Sequence, residues 1–474
     1  MRRSYGLTPW SDRHLAVVTV VLTIGVWAGQ SGGRAAIAAC CAVIGIAAVT
    51  GWAMPAGTGR PRWALVVGVT VAMILGVVRG GQAWDQAVPR QLGPYTGWAR
   101  LVDDPYRFGN GTRLTVEIDG ERFDAWFYGT PQRRVADRQA GEWMWLEGRR
   151  QSIRGGRDRA ALRHVVGRLS VAYAGDWREG GPLARSANRV RRSVRGAAES
   201  TMEAGDAALF AGLVLGDDTR QSAAMVDQFR ASGLSHLTAV SGQNVTLLMI
   251  LLAPVVRRIR GPARWAAQMG VVVWLAMATR FEPSVLRAAV MACFGFIATA
   301  RGRPTSAVRL LAGATAVLIV ADPLLVWRVG FWLSVTATVG VCVIAPALER
   351  WLVGPRWFVV PFSVTLGAQV AVALPSVLVF GRMPAVAVIT NLLAVPVAGV
   401  VMAVGLPLAL LAELASPVRG VAMLVPRFGT RWVRLIAAIG ARLEPSGTAE
   451  LIAWAVIISA VLVWWAHGRG QRRA

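Results

Sequence analysis

Lysine does not occur anywhere in the 474 residues. A nucleotide-binding P-loop needs its lysine on the nucleotide phosphates, so the chain carries no motor of that kind, and lysine Schiff-base chemistry goes with it. Histidine is nearly as scarce: His14, His164, His236 and His467 are scattered and cannot assemble a histidine-rich metal cluster. The four cysteines, Cys40, Cys41, Cys293 and Cys342, lie in apolar blocks and form no CxxC pair. They read as buried small hydrophobes rather than a disulfide framework. No cofactor and no metal is expected. Acidic residues number 26 against 51 basic ones, a formal charge of +25. Every basic residue is therefore arginine, which stays charged and forks onto phosphate or carboxylate oxygens. Such a balance suits phosphate-rich partners, nucleic acid or lipid headgroups. Arginine use in a GC-rich genome together with the positive-inside rule accounts for the same excess without a ligand.

What is present in abundance is apolar sequence, 54% of the chain, with a mean hydropathy of +0.47. It comes in long blocks, which points to membrane spans rather than one large core. Three blocks come first, near 15–29, 35–54 and 63–80. The N-terminus is basic and its first block resembles a signal peptide, but a second block follows at once, so an uncleaved anchor is expected over 1–82. A polar segment, 83–181, then shows short β-type runs such as RLTVEI and RFDAWFYG broken by GNG and DG turns, the pattern of a small barrel, with an OB-fold as the expected form. Over 182–234, PLARSANRVRRSVRGAAESTM sets Arg185, Arg189, Arg192 and Arg195 at helical spacing, a basic amphipathic helix. Two short apolar helices follow it. From 235 to 474 nine further apolar blocks recur, several interrupted by prolines such as Pro375, Pro396 and Pro407, which suggests broken spans lining a cavity. The expected fold is a mostly α-helical polytopic membrane protein with about 10–12 membrane helices and a small all-β OB-like extracellular domain.

Arginines set the topology. Arg2, Arg3 and Arg13 place the N-terminus in the cytoplasm, and three spans leave 83–181 outside. In the second half Arg257, Arg258, Arg260 and Arg264 mark one inner loop, Arg301 and Arg303 another, Arg350 and Arg356 a third. The intervening loops hold little beyond Arg280, Arg328 and Arg382. Both halves put the start of the 237–256 block near the outer mouth. The block at 420–440 carries Arg427, Arg431 and Arg434 and lies either in the bilayer or on its surface.

Several motifs then occur in order. GLVLGDD is followed by FRASGLSHLTAVSGQNVTLL, EPSVLRAAVMA, DPLLVWRVGFWLSVTATVGV and LPSVLVFGRMPAVAVITNLLAVPVAGVVM, over roughly 205–410. The series resembles the ComEC family, the membrane channel of bacterial competence, and the 83–181 segment is similar to that family's extracellular OB-like domain. The resemblance implies passage of single-stranded DNA through the cytoplasmic (inner) membrane during natural transformation. It implies as partners a separate DNA receptor and a cytoplasmic ATPase, together with membrane lipids and, in one form, a homo-oligomer. Many members carry a C-terminal metallo-β-lactamase-type domain. The chain stops soon after its last apolar block, and four scattered histidines cannot supply that domain's metal cluster, so a separate nuclease is expected. The alternative is a transporter or flippase for another anionic substrate, such as a phosphate-bearing lipid.

The residues expected to line the pathway are Asp217, His236, Ser241, Gln243, Asn244, Arg287, Gln369 and Asn391. His236, Ser241, Gln243 and Asn244 sit at the head of an apolar run with Gly242 among them, and polar groups at that depth line or hold something. They form either a polar channel entrance or a hydrogen-bonded knot between helices. A catalytic Ser241–His236 pair is disfavoured, because no orienting acid is evident, and no enzyme activity is expected. Arg287 lies inside a span and either meets a phosphate or pairs with an acid such as Glu282 or Asp217. Asp217 also fits a simple turn. In the outer domain Trp126, Tyr128, Arg149, Arg150, Arg154 and Arg157 form a candidate single-strand surface. The opposing reading has the aromatics filling the barrel and the arginines meeting headgroups. The segment's charge, 16 arginines against 13 acids over 83–181, leans slightly toward it.

Overall fold

The computed structural model describes residues 11–31, 38, 42, 62–238, 242–302 and 305–473. The expected block at 35–54 and the residues Cys40, Cys41 and Ser241 therefore fall outside the described residues. Among those described, seven helices are long and apolar enough to cross a membrane: Asp12–Ser31, Leu65–Asp85, Pro283–Ala300, Val329–Trp351, Arg356–Phe380, Ala387–Leu414 and Thr448–Trp465. Ala204–Leu215, Gly242–Val256 and Ala307–Ala321 are shorter apolar helices. The polytopic helical fold with a small β domain is thus the observed one.

Local signals explain where the helices start and stop. Pro182, Pro262 and Pro283 each open a helix at its first turn, where the missing N–H costs nothing. Ser306 caps Ala307–Ala321 by accepting the Arg309 amide at 3.1 Å. Gly216 and Gly381 close their helices in the left-handed region, at φ 67° and 72°. The prolines behave otherwise than their spacing suggests. Arg356–Phe380 runs through Pro361 and Pro375, and Ala387–Leu414 runs through Pro396 and Pro407, each as one helix. Packing against neighbours makes up for the lost backbone bond.

The first two described spans cross at a contact built from glycine. Gly25 and Gly29 on one face Gly76 and Gly80 on the other, two small-xxx-small pairs. A Cβ on Gly80 would stand 2.2 Å from the Val26 carbonyl oxygen. Gly80→Ala should force the helices apart and lower stability by about 1–3 kcal/mol, read as a drop in the midpoint of thermal unfolding of the purified chain. An unchanged midpoint would mean that the crossing contributes nothing.

Six strands form the β domain: β1 Gly93–Leu101, β2 Tyr106–Phe108, β3 Gly111–Ile118, β4 Glu121–Phe127, β5 Trp143–Gln151 and β6 Val165–Arg178. Their order is β1-β5-β6-β4-β3-β2, and β1 also pairs with β3, which closes the sheet into a barrel. All pairs are antiparallel except β4 with β6, where Trp126 lies opposite Ser170. Alternation buries Leu114, Val116, Ile118, Phe123, Phe127 and Met144 inside. No tryptophan belongs to this core. Trp126 and Trp145 are half-buried outside it and Tyr128 and Trp143 are exposed, so the reading in which these four aromatics fill the barrel is corrected. Aliphatics and phenylalanine already fill so narrow an interior.

The barrel rests on one end of the helical part. His164 Nε2 lies 2.9 Å from Asp322, just after Ala307–Ala321. Trp84 meets Trp327 edge to face at 5.3 Å, and Arg79 Nε donates to the Val320 carbonyl at 3.0 Å. Asp12 meets Ser306 and Arg309 at the opposite end.

Candidate functional site

Two polar constellations stand out. The first joins the barrel to the helices. Asp104, in the turn between β1 and β2, is buried, and so is Arg191 on the helix Pro182–Glu199. The Asp104 carboxylate accepts Arg191 Nη2 at 2.8 Å, Arg280 Nη2 at 2.6 Å and the Ala140 amide at 3.0 Å. Arg191 Nη1 continues to the Ala278 carbonyl at 2.9 Å. Asp217 accepts Arg195 Nε at 2.5 Å and the Thr219 hydroxyl at 2.6 Å. Burial pushes the Asp104 pKa up, but Arg191, Arg280 and the Ala140 amide more than reverse this and leave it far below the ordinary carboxylate range. Asp217 is likewise desolvated, and Arg191, Arg195 and Thr219 bring it below its usual value. Both are ionised anchors.

The second constellation lies inside the helical part. Gly242 opens the helix Gly242–Val256, so the positive end of that helix is at the motif. A Cβ on Gly242 would stand 2.9 Å from Ala288 Cβ and 3.4 Å from Arg287 Nη2. The backbone and the guanidinium can approach this closely only because residue 242 has no side chain. Arg287 is 7% exposed. Its Nε donates to Ser334 Oγ at 3.0 Å and its Nη1 reaches Met291 Sδ at 3.4 Å. No carboxylate comes within ion-pair distance of it among the described residues. Gln243 reaches the opposite side, its Nε2 3.1 Å from where a Gly399 Cβ would be. Asn244 donates from Nδ2 to the Leu213 carbonyl at 3.2 Å, and its Oδ1 has no hydrogen-bond partner among the described residues. Helices 204–215, 283–300, 329–339 and 387–414 thus converge on the start of one helix.

The predicted residues divide accordingly. Gln243, Asn244 and Arg287 lie around the start of the helix Gly242–Val256, each side chain on a different neighbour, with the guanidinium against Gly242. Asp217 goes to the junction, and Glu282 precedes the span that carries Arg287 without pairing with it, so neither is Arg287's partner. His236 is exposed in the short helix Ser235–Thr238. Gln369 and Asn391 are buried, and each leaves a side-chain oxygen without a hydrogen-bond partner among the described residues. They hydrogen-bond to none of the other predicted residues. In the barrel, Trp126 has Arg168 over its ring at 4.6 Å, Phe108 edge-on at 5.8 Å and Tyr128 stacked at 6.5 Å. Arg150 lies 5.4 Å from the Tyr95 ring and pairs with Asp119 at 3.5 Å. Arg149, Arg154 and Arg157 are exposed.

Asp104, Arg191 and Arg280 were not legible as site residues in the sequence. One signal was available. Arg191 falls on the same stripe as Ala187, Asn188, Val194 and Ala198, the buried face of its helix, rather than among the arginines counted as its basic face. No curated protein and no solved structure matches the chain. A family model described as Competence protein matches residues 213–469, more than half of the sequence and the whole segment that holds Gly242, Gln243, Asn244 and Arg287. The chain belongs to the competence protein family.

Proposed function

We propose that this chain conducts single-stranded DNA across the cytoplasmic membrane during natural transformation, and that the phosphates of the strand pass the centre formed by Gly242, Gln243, Asn244 and Arg287. Membership of the competence family supports a role in DNA uptake. The observation that carries the finer reading is Arg287, a buried guanidinium inside a span with no carboxylate at ion-pair distance among the described residues. A charge in that setting is costly and is retained where an anion meets it. The amides at the start of Gly242–Val256 add positive potential at the same place. Asn244, Gln369 and Asn391 carry the oxygens left to serve passing polar groups, and His236 stands at the approach.

Orientation follows from the ends of the helices. The barrel sits at the end that carries Arg280 and Arg328. Arg257, Arg258, Arg260 and Arg264, Arg301, and Arg350 and Arg356 belong to the other end, which the positive-inside rule makes cytoplasmic. The barrel, read as an OB-fold, is then extracytoplasmic and offers Phe108, Trp126, Tyr128 and Arg168 as a stacking surface for single strands. Arg149, Arg154 and Arg157, all exposed, add charge farther along it, while Arg150 is held by Asp119 with only 10% of its side chain exposed. Without lysine the chain has no P-loop, so a separate cytoplasmic ATPase pulls the strand. A DNA receptor and a nuclease are the other partners.

In cells lacking the chain, end-labelled DNA should leave no nuclease-resistant label in the cytoplasm, and restoring the gene should return it. Restoration with Trp126→Ala should lower the label in the same assay. Unchanged label without the chain would overturn the DNA reading and turn attention to anionic lipids.

A further inference from the structure

The helix Leu424–Leu443 has no acidic residue and carries Arg427, Arg431, Arg434 and Arg442 along one stripe. A second stripe runs beside it: Val425, Phe428, Trp432, Leu435, Ile439 and Leu443, each exposed. An apolar stripe with a basic margin is the pattern of a helix lying in the interface of a membrane. Between this helix and Ala223–Ala231 the surface opens into a groove of about 470 Å³, lined among others by Gly205, Ser222, Gln228, Arg431 and Arg434. Leu435 belongs both to the apolar stripe and to the groove wall. An acyl chain lying along the stripe therefore brings its headgroup to the groove.

The arginines of the groove are not equivalent. Arg434 is engaged with Glu203 at 3.1 Å and Asp206 at 2.9 Å. Arg431 touches Glu203 only at 4.0 Å, and its side chain is 57% exposed. Its guanidinium is free to fork onto a phosphate. The Ser222 hydroxyl accepts the Met225 amide at 3.2 Å and still has its own proton to donate. The Gln228 amide adds further donors. Glu203 and Asp206 stand beside the groove and are held by Arg434, and the arginines of the helix, Arg427, Arg431 and Arg434, outnumber these two carboxylates, so the net positive charge favours an anionic headgroup over a zwitterionic one.

We propose that this groove is a binding site for the phosphate of an anionic phospholipid, with Arg431 as its principal contact. The site shares no residue with the Arg287 centre, and its test uses no DNA uptake, so the two readings stand or fall separately. The full chain, solubilised in detergent, is titrated with dioctanoyl phosphatidylglycerol and with dioctanoyl phosphatidylcholine, and binding is read as thermal stabilisation. Phosphatidylglycerol should bind about tenfold more tightly. Arg431→Gln should erase that preference, Arg431→Lys should keep part of it, and Gln228→Leu should weaken it. Equal binding of the two lipids, or a preference untouched by Arg431→Gln, would overturn the proposal. So would an Arg431-dependent shift produced by oligothymidylate, which would give the groove to nucleic acid instead.

Discussion

Asp104→Ala should cost about 3–5 kcal/mol of stability, the usual penalty for removing one partner of a buried charge pair. Asp104 is the carboxylate on which Arg191 and Arg280 converge, and Arg195 Nη2 lies 3.6 Å away. Without it Arg191, with only 2% of its side chain exposed, keeps its charge and loses its nearest counter-ion. Asp217 Oδ2, at 3.5 Å and already engaged with Arg195, is a poor substitute. The measurement is the unfolding midpoint of the solubilised full chain, with proteolysis between the barrel and the helix Pro182–Glu199 as a second readout. Asp104→Asn keeps an acceptor oxygen without the charge and should fall between the two. The pH dependence has a definite sign. The folded pKa of Asp104 lies below its ordinary value, so its contribution is present above the ordinary carboxylate range and lost as pH falls toward the depressed value. The difference in stability between wild type and Asp104→Asn should therefore hold at neutral pH and shrink only in strong acid. A difference that vanished by pH 5 would refute the network as drawn.

Arg287→Met should abolish DNA uptake, by about 100-fold or more, equivalent to about 2.7 kcal/mol at 1.36 kcal/mol per tenfold, and leave the fold intact. Uptake and stability separate here because of what surrounds the guanidinium. It is held by a hydroxyl and a thioether, and replacing a buried charge by an apolar chain of similar volume is often neutral or stabilising. A site kept for its packing alone would lose nothing in function from methionine. Arg287→Lys retains charge but not the planar fork, and uptake should fall to an intermediate level. The readouts are nuclease-resistant cytoplasmic label for function and the thermal midpoint for stability. If Arg287→Met lowered both together, Arg287 would be a brace for Ser334 rather than a contact for the strand.

These two residues also mark the boundary between what pattern reveals and what packing decides. Arg287 was visible in the sequence because a charge in the apolar run SVLRAAVMACFGFI conflicts with its surroundings, and that conflict is local. Asp104 was not visible. It is one of two adjacent acids before a proline in a polar segment, and nothing nearby distinguishes it from a turn residue. The glycines at 25, 29, 76 and 80 were not singled out by the sequence, and the crossing of the helices is what makes them necessary. Trp126 was singled out for the right strand, yet which face it takes depended on how much volume the phenylalanines already occupied.

The sequence by itself determined the long apolar helices, the β domain between them, the basic loops that mark one end, and the family signature across 205–410. Each depends on neighbours within a few turns or on preference for lipid over water, and both are written along the chain. Only the tertiary structure decided that Asp104 meets Arg280 across 176 residues, that Gly242 lies against Arg287, and that Asp217 pairs with Arg195 and Arg191 rather than answering Arg287. Such pairings depend on which helix faces pack together. Many registers satisfy the same hydropathy, and the close-packed interior admits one.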